Sequence, residues 1–245
     1  MGDGDSTSTS TSVLTSSGAS ILNEPHADFS DARKREALAA ALDRVEKQLG
    51  RRYVAIIDGK ELQSAGLIVR ENPANPQQIV GEVARCTSAD ADRAIAACRK
   101  AFPAWRDRSA EDRAEVLRNA ANRMREQRVD LTALQVFEVG KPWREADADV
   151  AEAIDFLDYY AHEMVRLGEP RLMGGRVAGE TNHLFYQGRG IAVVIAPWNF
   201  PLAILAGMTS AALVTGNCVI MKPAEQSPVT ERRFMDILLA AGVPA

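Results

Sequence analysis

The chain has 245 residues, 46% hydrophobic and 25% charged, with a formal net charge of -4. That composition is globular and long enough for a sizeable core, and it lacks the basic stripe that nucleic acid or an anionic membrane surface would need. Three scattered cysteines and three distant histidines argue against a disulfide framework and against metal-ligand spacing, and they fit a reducing, cytoplasmic setting.

Residues 2–20, GDGDSTSTSTSVLTSSGAS, have neither the basic nor the apolar region of a secretory signal. They read as a polar, low-complexity, disordered tail covering residues 1–20. Ser30 opens a helical pattern in which Leu38, Ala41, Leu42, Val45 and Leu49 share a face, and Gly50 closes it. Tyr53–Asp58 is β-rich and ends in Asp58-Gly59, so a hairpin is expected there. Asn72-Pro73 and Asn75-Pro76 are read as two turns between short strands, with Ile79–Ala84 the next strand.

Thr87 with Asp90, and Ser109 with Asp112, have capping-box spacing. The first is expected to start a helix with Ala91, Ala94, Ile95 and Cys98 on its apolar face, which makes Cys98 a small core residue. The second starts one with Val116, Leu117, Ala120 and Met124 inside. A long helix from about Glu145 to Leu167 carries the stripe Val150, Ala153, Ile154, Leu157, Ala161, Met164 and Val165. Its other residues include Asp147, Asp149, Glu152, Asp155 and Asp158, read as a solvated acidic face rather than a metal site.

Arg171–Arg189 turns Gly-rich and then β-like, as a hairpin or crossing strand. Beyond it comes a β-α-β-α run: Ile191–Ala196, Leu202–Val214, Asn217–Met221 and Pro228–Ala241. Apolar strands alternating with helices predict an α/β fold with a parallel sheet covered on both faces. The apolar stretch from Ile191 to Val214 is broken by Pro197, Asn199 and Pro201, so it is not a membrane span.

In a parallel sheet, ligands sit beyond the carboxyl ends of the strands. The two strands end in APWNFP and KPAEQSP, and both ends lie at the same sheet edge. VIAPWNFP followed at this spacing by NCVIMKPAEQSP resembles the aldehyde dehydrogenase superfamily, from about residue 24 to residue 245. EPHADFSD, ENPANP, FEVGKPWREADADVAEAIDFLDYYA and NFPLAILAGM resemble its L-glutamate γ-semialdehyde (1-pyrroline-5-carboxylate) dehydrogenase branch.

The resemblance implies a Rossmann-type NAD-binding sheet with N-terminal helices and an oligomerisation hairpin. It divides the chain into 21–170, helical and cofactor-domain elements; 171–189, the oligomerisation segment; and 190–245, part of the NAD-binding unit. It implies NAD as cofactor, an aldehyde as substrate and a homo-oligomer as the assembly. Asn199 would donate its side-chain amide to the oxyanion. Lys222 and Glu225 would hold the adenosine ribose, with Glu225 repelling a 2′-phosphate and favouring NAD over NADP. Ile195, Ala196, Pro197 and Trp198 would line the cofactor channel. Glu138 would face substrate, with helix capping or a buried pair as the alternative. Cys218, inside an apolar strand, is not the nucleophile.

The nucleophilic cysteine and general-base glutamate of such enzymes are expected beyond Ala245, so this stretch alone should oxidise no aldehyde. Two other readings stay open: an aldehyde dehydrogenase of different substrate, and an inactive binding or assembly module.

Overall fold

A computed structural model describes residues 13–14, 20–64, 66–174 and 177–245. The polar tail therefore lies mostly outside the described residues. Only β1 (Val13–Leu14), paired antiparallel with β2 (Ser20–Ile21), falls within or at the edge of it.

Helix α1 (Ala32–Glu46) starts later than the pattern expected from Ser30, because Asp31 is the cap and accepts from the Arg33 amide. It buries Leu38, Ala41 and Val45. Strand β3 (Arg51–Tyr53) follows, then the hairpin of β4 (Ala55–Ile57) and β5 (Lys60–Leu62). Its turn residues Asp58 and Gly59 have φ of 53° and 69°, the positive pair that two-residue hairpins favour.

Strands β6 (Leu67–Asn72) and β7 (Asn75–Ala84) form a second hairpin, and β3 joins β7 in parallel to give the order β3-β7-β6. Here one expectation is corrected. Asn72-Pro73 makes the turn, with the Asn72 side chain accepting from the Ala74 amide at 2.9 Å, but Asn75-Pro76 already belongs to β7. Pro76 sits at the exposed start of that strand, where its missing N–H costs no ladder bond.

Helix α2 (Ser88–Arg106) has the full Thr87–Asp90 capping box, and α3 (Ala110–Glu126) is capped by the Ser109 hydroxyl. Helix α4 (Arg128–Val139) precedes the long α5 (Trp143–Gly168). The expected stripes on α3 and α5 are buried, apart from half-buried Val165, and belong to one core shared with β10 and helices α6 and α7 described below. A smaller core joins α1 and α4 through Leu38, Ala41, Ala133, Leu134 and Val80.

Of the acidic residues expected on a solvated face of α5, only Glu152 is exposed. Asp147 and Asp149 are buried. Asp147 receives Arg128 Nε at 2.8 Å, Arg128 Nη2 at 2.7 Å and the Ala27 amide at 2.7 Å. Asp155 accepts from the Glu24 amide, and Asp158 pairs with Arg125. Residues 23–27 are strapped onto α5 by these carboxylates, so the acidic spacing serves chain docking.

Strands β8 (Arg171–Met173) and β9 (Asn182–Leu184) form an antiparallel hairpin, one of the two forms expected for this segment. The β-α-β-α run follows as β10 (Ile191–Ile195), α6 (Ala203–Val214), β11 (Cys218–Lys222) and α7 (Pro228–Ala241). β10 and β11 pair in parallel. The expected cover on both faces is incomplete along β10: Val194 is buried, while Val193 and Ile195 are 56% and 65% exposed.

Two long-range side chains tie this unit to the helices. Trp105 donates its indole N–H to the Leu213 carbonyl at 2.9 Å. Arg113, buried, donates to the Val214 carbonyl at 2.8 Å, to the Arg106 carbonyl at 3.0 Å and to the Arg108 carbonyl. A guanidinium thus satisfies carbonyls left open at the end of α6 and in the α2–α3 loop. Among the described residues no helix is long and apolar enough to cross a membrane.

Candidate functional site

The ladder ends with Ile195 opposite Lys222. Residues 196–202 and 223–227 therefore leave the sheet at one edge, each leading into a helix.

The first turn is gripped from beneath. Pro197, Trp198, Asn199 and Phe200 are exposed, whereas Ala196, Pro201 and Leu202 are buried. Buried Lys141 donates from Nζ to the Asn199 carbonyl at 2.8 Å and lies 4.1 Å from the centre of the Phe200 ring. Asp149 accepts from the Leu202 and Ala203 amides at 3.2 and 3.3 Å, and so caps α6 where no local side chain does. Burial pushes its carboxyl up to about 6, against the pull of Lys141 and those amides. Asn199, its backbone held by Lys141, lines a cleft of about 330 Å³. Val139, Gly140, Pro142, Glu145 and Trp198 also line this cleft.

The second turn is held by Glu231, from the first turn of α7. One of its oxygens, Oε1, accepts from the Ala224 amide at 3.0 Å and from the Ser227 hydroxyl at 2.8 Å, while buried Oε2 has no partner. Burial pushes this carboxyl up to about 8. Lys222 is exposed just before this turn and Glu225 within it. Both border a cavity of about 530 Å³ whose wall is mainly apolar and includes Ile220, Leu238, Cys98 and Cys218.

Cys98 is half-buried in that wall rather than in the core. Burial and the neighbouring Cys218 sulfur push its thiol up to about 11. Burial also raises the Cys218 thiol, which keeps both sulfurs protonated and poor as nucleophiles.

The expected site residues are thus divided. Trp198 and Asn199 share the smaller cleft, while Lys222 and Glu225 share the larger cavity. Ile195, Ala196 and Pro197 connect the sheet to the first turn and line neither. Glu138 does not face a substrate space. It is fully buried, and its oxygens accept from the Val229 and Thr230 amides at 2.7 Å each, the capping alternative raised for it. Burial raises this carboxyl to about 7, opposed by those hydrogen bonds.

Glu231 and Asp149 were not singled out from sequence as holders of these turns. Ser227 and Glu231 are four apart, one more than a capping box, and Asp149 caps a helix more than fifty residues away.

The profile of the aldehyde dehydrogenase family matches residues 61–245. The chain belongs to the aldehyde dehydrogenase family. Among its members, the 1-pyrroline-5-carboxylate dehydrogenase of Geobacillus thermodenitrificans (strain NG80-2) is 46% identical over 223 residues, which cover 91% of this chain and 43% of that protein. The 1-pyrroline-5-carboxylate dehydrogenase 2 of Bacillus subtilis (strain 168) is 44% identical over 222 residues, again covering 91% and 43%.

Two solved structures in the family superpose closely. A 1-pyrroline-5-carboxylate dehydrogenase from Thermus with bound NAD gives a TM-score of 0.89 at 42% identity, covering 91% of this chain and 43% of that one. Proline utilization A from Bdellovibrio bacteriovorus gives 0.89 at 45%, covering 91% and 23%. The chain therefore spans less than half the length of the family members it matches.

Proposed function

We propose that the full-length protein is an NAD-dependent dehydrogenase that oxidises L-glutamate γ-semialdehyde to glutamate in the cytoplasm. The observation that carries this reading is the parallel pair β10–β11, which delivers the Asn199 turn and the Lys222–Glu225 turn to one sheet edge. Similarity to dehydrogenases named for this substrate, one of them solved with NAD, supports the choice of aldehyde and cofactor.

The residues present fit a dinucleotide. An exposed carboxylate and an exposed ammonium flank the rim of an apolar cavity, the donor and acceptor chemistry that a ribose diol and an adenine face require. In this reading Glu225 accepts from the ribose hydroxyls and disfavours a 2′-phosphate, and Lys222 donates beside it. Bound there, NAD supplies the hydride acceptor.

Trp198 walls the cleft. Asn199 donates its amide N–H to the aldehyde oxygen as that oxygen gains negative charge, and it cannot lose a proton in doing so. The net change is aldehyde plus water to carboxylate, with hydride to the cofactor and two protons released. Residues 190–245 then belong to the cofactor-binding unit and 21–170 to the helical elements around it. The hairpin within 171–189, which exposes Leu172, Met173, Leu184, Phe185 and Tyr186, serves a homo-oligomer contact.

Steady-state turnover of the full-length protein tests the proposal, with the semialdehyde set against aliphatic aldehydes and NAD against NADP. Selective turnover of the semialdehyde with NAD is expected. Equal turnover of simple aliphatic aldehydes would remove the substrate assignment, and absence of any aldehyde oxidation would remove the activity.

A further inference from the structure

Helix α4 ends at Gly140, whose left-handed backbone (φ 68°, ψ 26°) reverses the chain; a side chain there would be strained. The reversal sends two charged side chains in different directions. Glu138 reaches the Val229 and Thr230 amides that open α7, immediately beyond the turn that carries Glu225. Lys141 reaches the Asn199 carbonyl and the Phe200 ring. The four-residue segment is itself tethered, because Arg70 of β6 donates to the Glu138 carbonyl from Nη2 at 2.8 Å and Nε at 3.2 Å.

The ladder between β10 and β11 stops at Ile195–Lys222, so sheet hydrogen bonds do not fix the distance between the two turns beyond it. The segment 138–141 touches the first turn directly, through Lys141, and the second at one remove, through the amides that open α7.

We infer that Glu138–Lys141 is a bracket that sets the spacing of the two turns: Glu138 is a positioning residue for cofactor binding and Lys141 a positioning residue for the chemical step. This rests on the dehydrogenase reading above. Glu138 acts through the start of α7 and Lys141, which also lines the cleft, through the backbone of Asn199. The two contacts are chemically unlike. A buried carboxylate on two helix-opening amides holds the start of α7, from which the ribose turn hangs, against the end of α4. A buried ammonium on one carbonyl fixes the residue whose amide must meet a developing oxyanion. A misplacement of about 1 Å in such a donor costs roughly 10²-fold in rate, whereas a loosened ribose turn weakens binding.

The bracket is tested by steady-state kinetics of the full-length protein carrying Lys141→Met, Lys141→Arg, Glu138→Ala or Glu138→Gln. Asn199→Ala and Glu225→Ala serve as references, and melting temperatures are measured alongside. Lys141→Met is expected to lower kcat by roughly 10- to 100-fold with the KM for NAD held within about twofold. Lys141→Arg, which keeps a donor, should recover part of that loss. Glu138→Ala is expected to raise the KM for NAD several-fold with little change in kcat, and Glu138→Gln, which keeps an acceptor oxygen, should lie between it and the parent.

Losses in kcat and KM that move together in proportion to melting temperature would overturn the bracket in favour of a purely structural role. So would a conservative variant no better than the drastic one. If Glu138→Ala does not fold, the milder Glu138→Gln decides alone, through its KM for NAD and the hydrogen exchange of the Val229 and Thr230 amides. Silent reference variants would overturn the dehydrogenase reading and the bracket with it. Responsive references beside silent bracket variants would overturn the bracket alone.

Discussion

Arg128 and Asp147 form a parallel two-bond pair, Nε and Nη2 each facing one carboxylate oxygen, with side chains 15% and 5% exposed. The same carboxylate takes the Ala27 amide, so one buried group fastens α4 to α5 and the N-terminal strap to both. Asp147→Ala removes both of these bonds and the acceptor of the Ala27 amide, and leaves the guanidinium with Glu24, 3.2 Å from Nη1, as its remaining carboxylate. The expected cost is roughly 2–3 kcal/mol in urea unfolding. Asp158→Ala, which removes a more exposed partner of Arg125, should cost less than about 1 kcal/mol.

Stability should fall as pH rises through neutrality. Glu231 and Glu138, both buried, have carboxyls raised from an ordinary value of 4.5 to about 8 and about 7. Below pH 4.5 both are protonated whether folded or not, and the folded state pays nothing. Between the unfolded and folded values the native state keeps protons that the unfolded chain releases, so stability declines with pH until about pH 8. The drop should be on the order of a few kcal/mol. Glu231→Gln, which cannot ionise, should flatten the curve of unfolding free energy against pH from 5 to 8, and an unchanged slope would refute the assignment.

Arg113 should be irreplaceable by lysine. Its guanidinium donates to carbonyls of Val214, Arg106 and Arg108 from a planar fork. Arg113→Ala leaves those carbonyls without their donor and is expected to cost about 2–4 kcal/mol. Arg113→Lys, with one point of donation, should recover less than half of that in thermal unfolding.

In the full-length protein, Asn199→Ala should lower kcat by about 10²–10³ while leaving cofactor affinity nearly unchanged. Glu225→Ser should relax the preference for NAD toward NADP. Tighter NAD binding in that variant would contradict a ribose contact.

Local signals were read reliably where the cause of a structure is itself local. The Thr87–Asp90 box, the Asp58-Gly59 turn and the alternation from Ile191 to Ala241 each depend on neighbours within a few residues. The stripe on α5 was legible for the same reason. Its opposite side was misread because periodicity records that a position is polar and says nothing of what will meet it. The partners of Asp147, Asp149 and Asp155 include residues 24, 27, 202 and 203.

Asn75-Pro76 misled because one turn already sufficed and proline is tolerated at the open start of a strand. At the candidate site, the two strand ends were visible as motifs. The groups beneath them were less so: Glu138 was singled out with capping as one of two readings, and Glu231 carried no recognisable spacing.

The strap at residues 23–27 has a consequence for the order in which the chain matures during synthesis. Ala27 must wait for Asp147, 120 positions later, and Glu24 for Asp155, 131 positions later. At roughly 5–20 residues per second on the ribosome, the interval is on the order of ten seconds. Throughout it the earliest segment has emerged without the helix that receives it, and α1 is complete long before its neighbour α4 can cover Leu38 and Ala41. Closure of the strap thus records that α5 has been made and has docked.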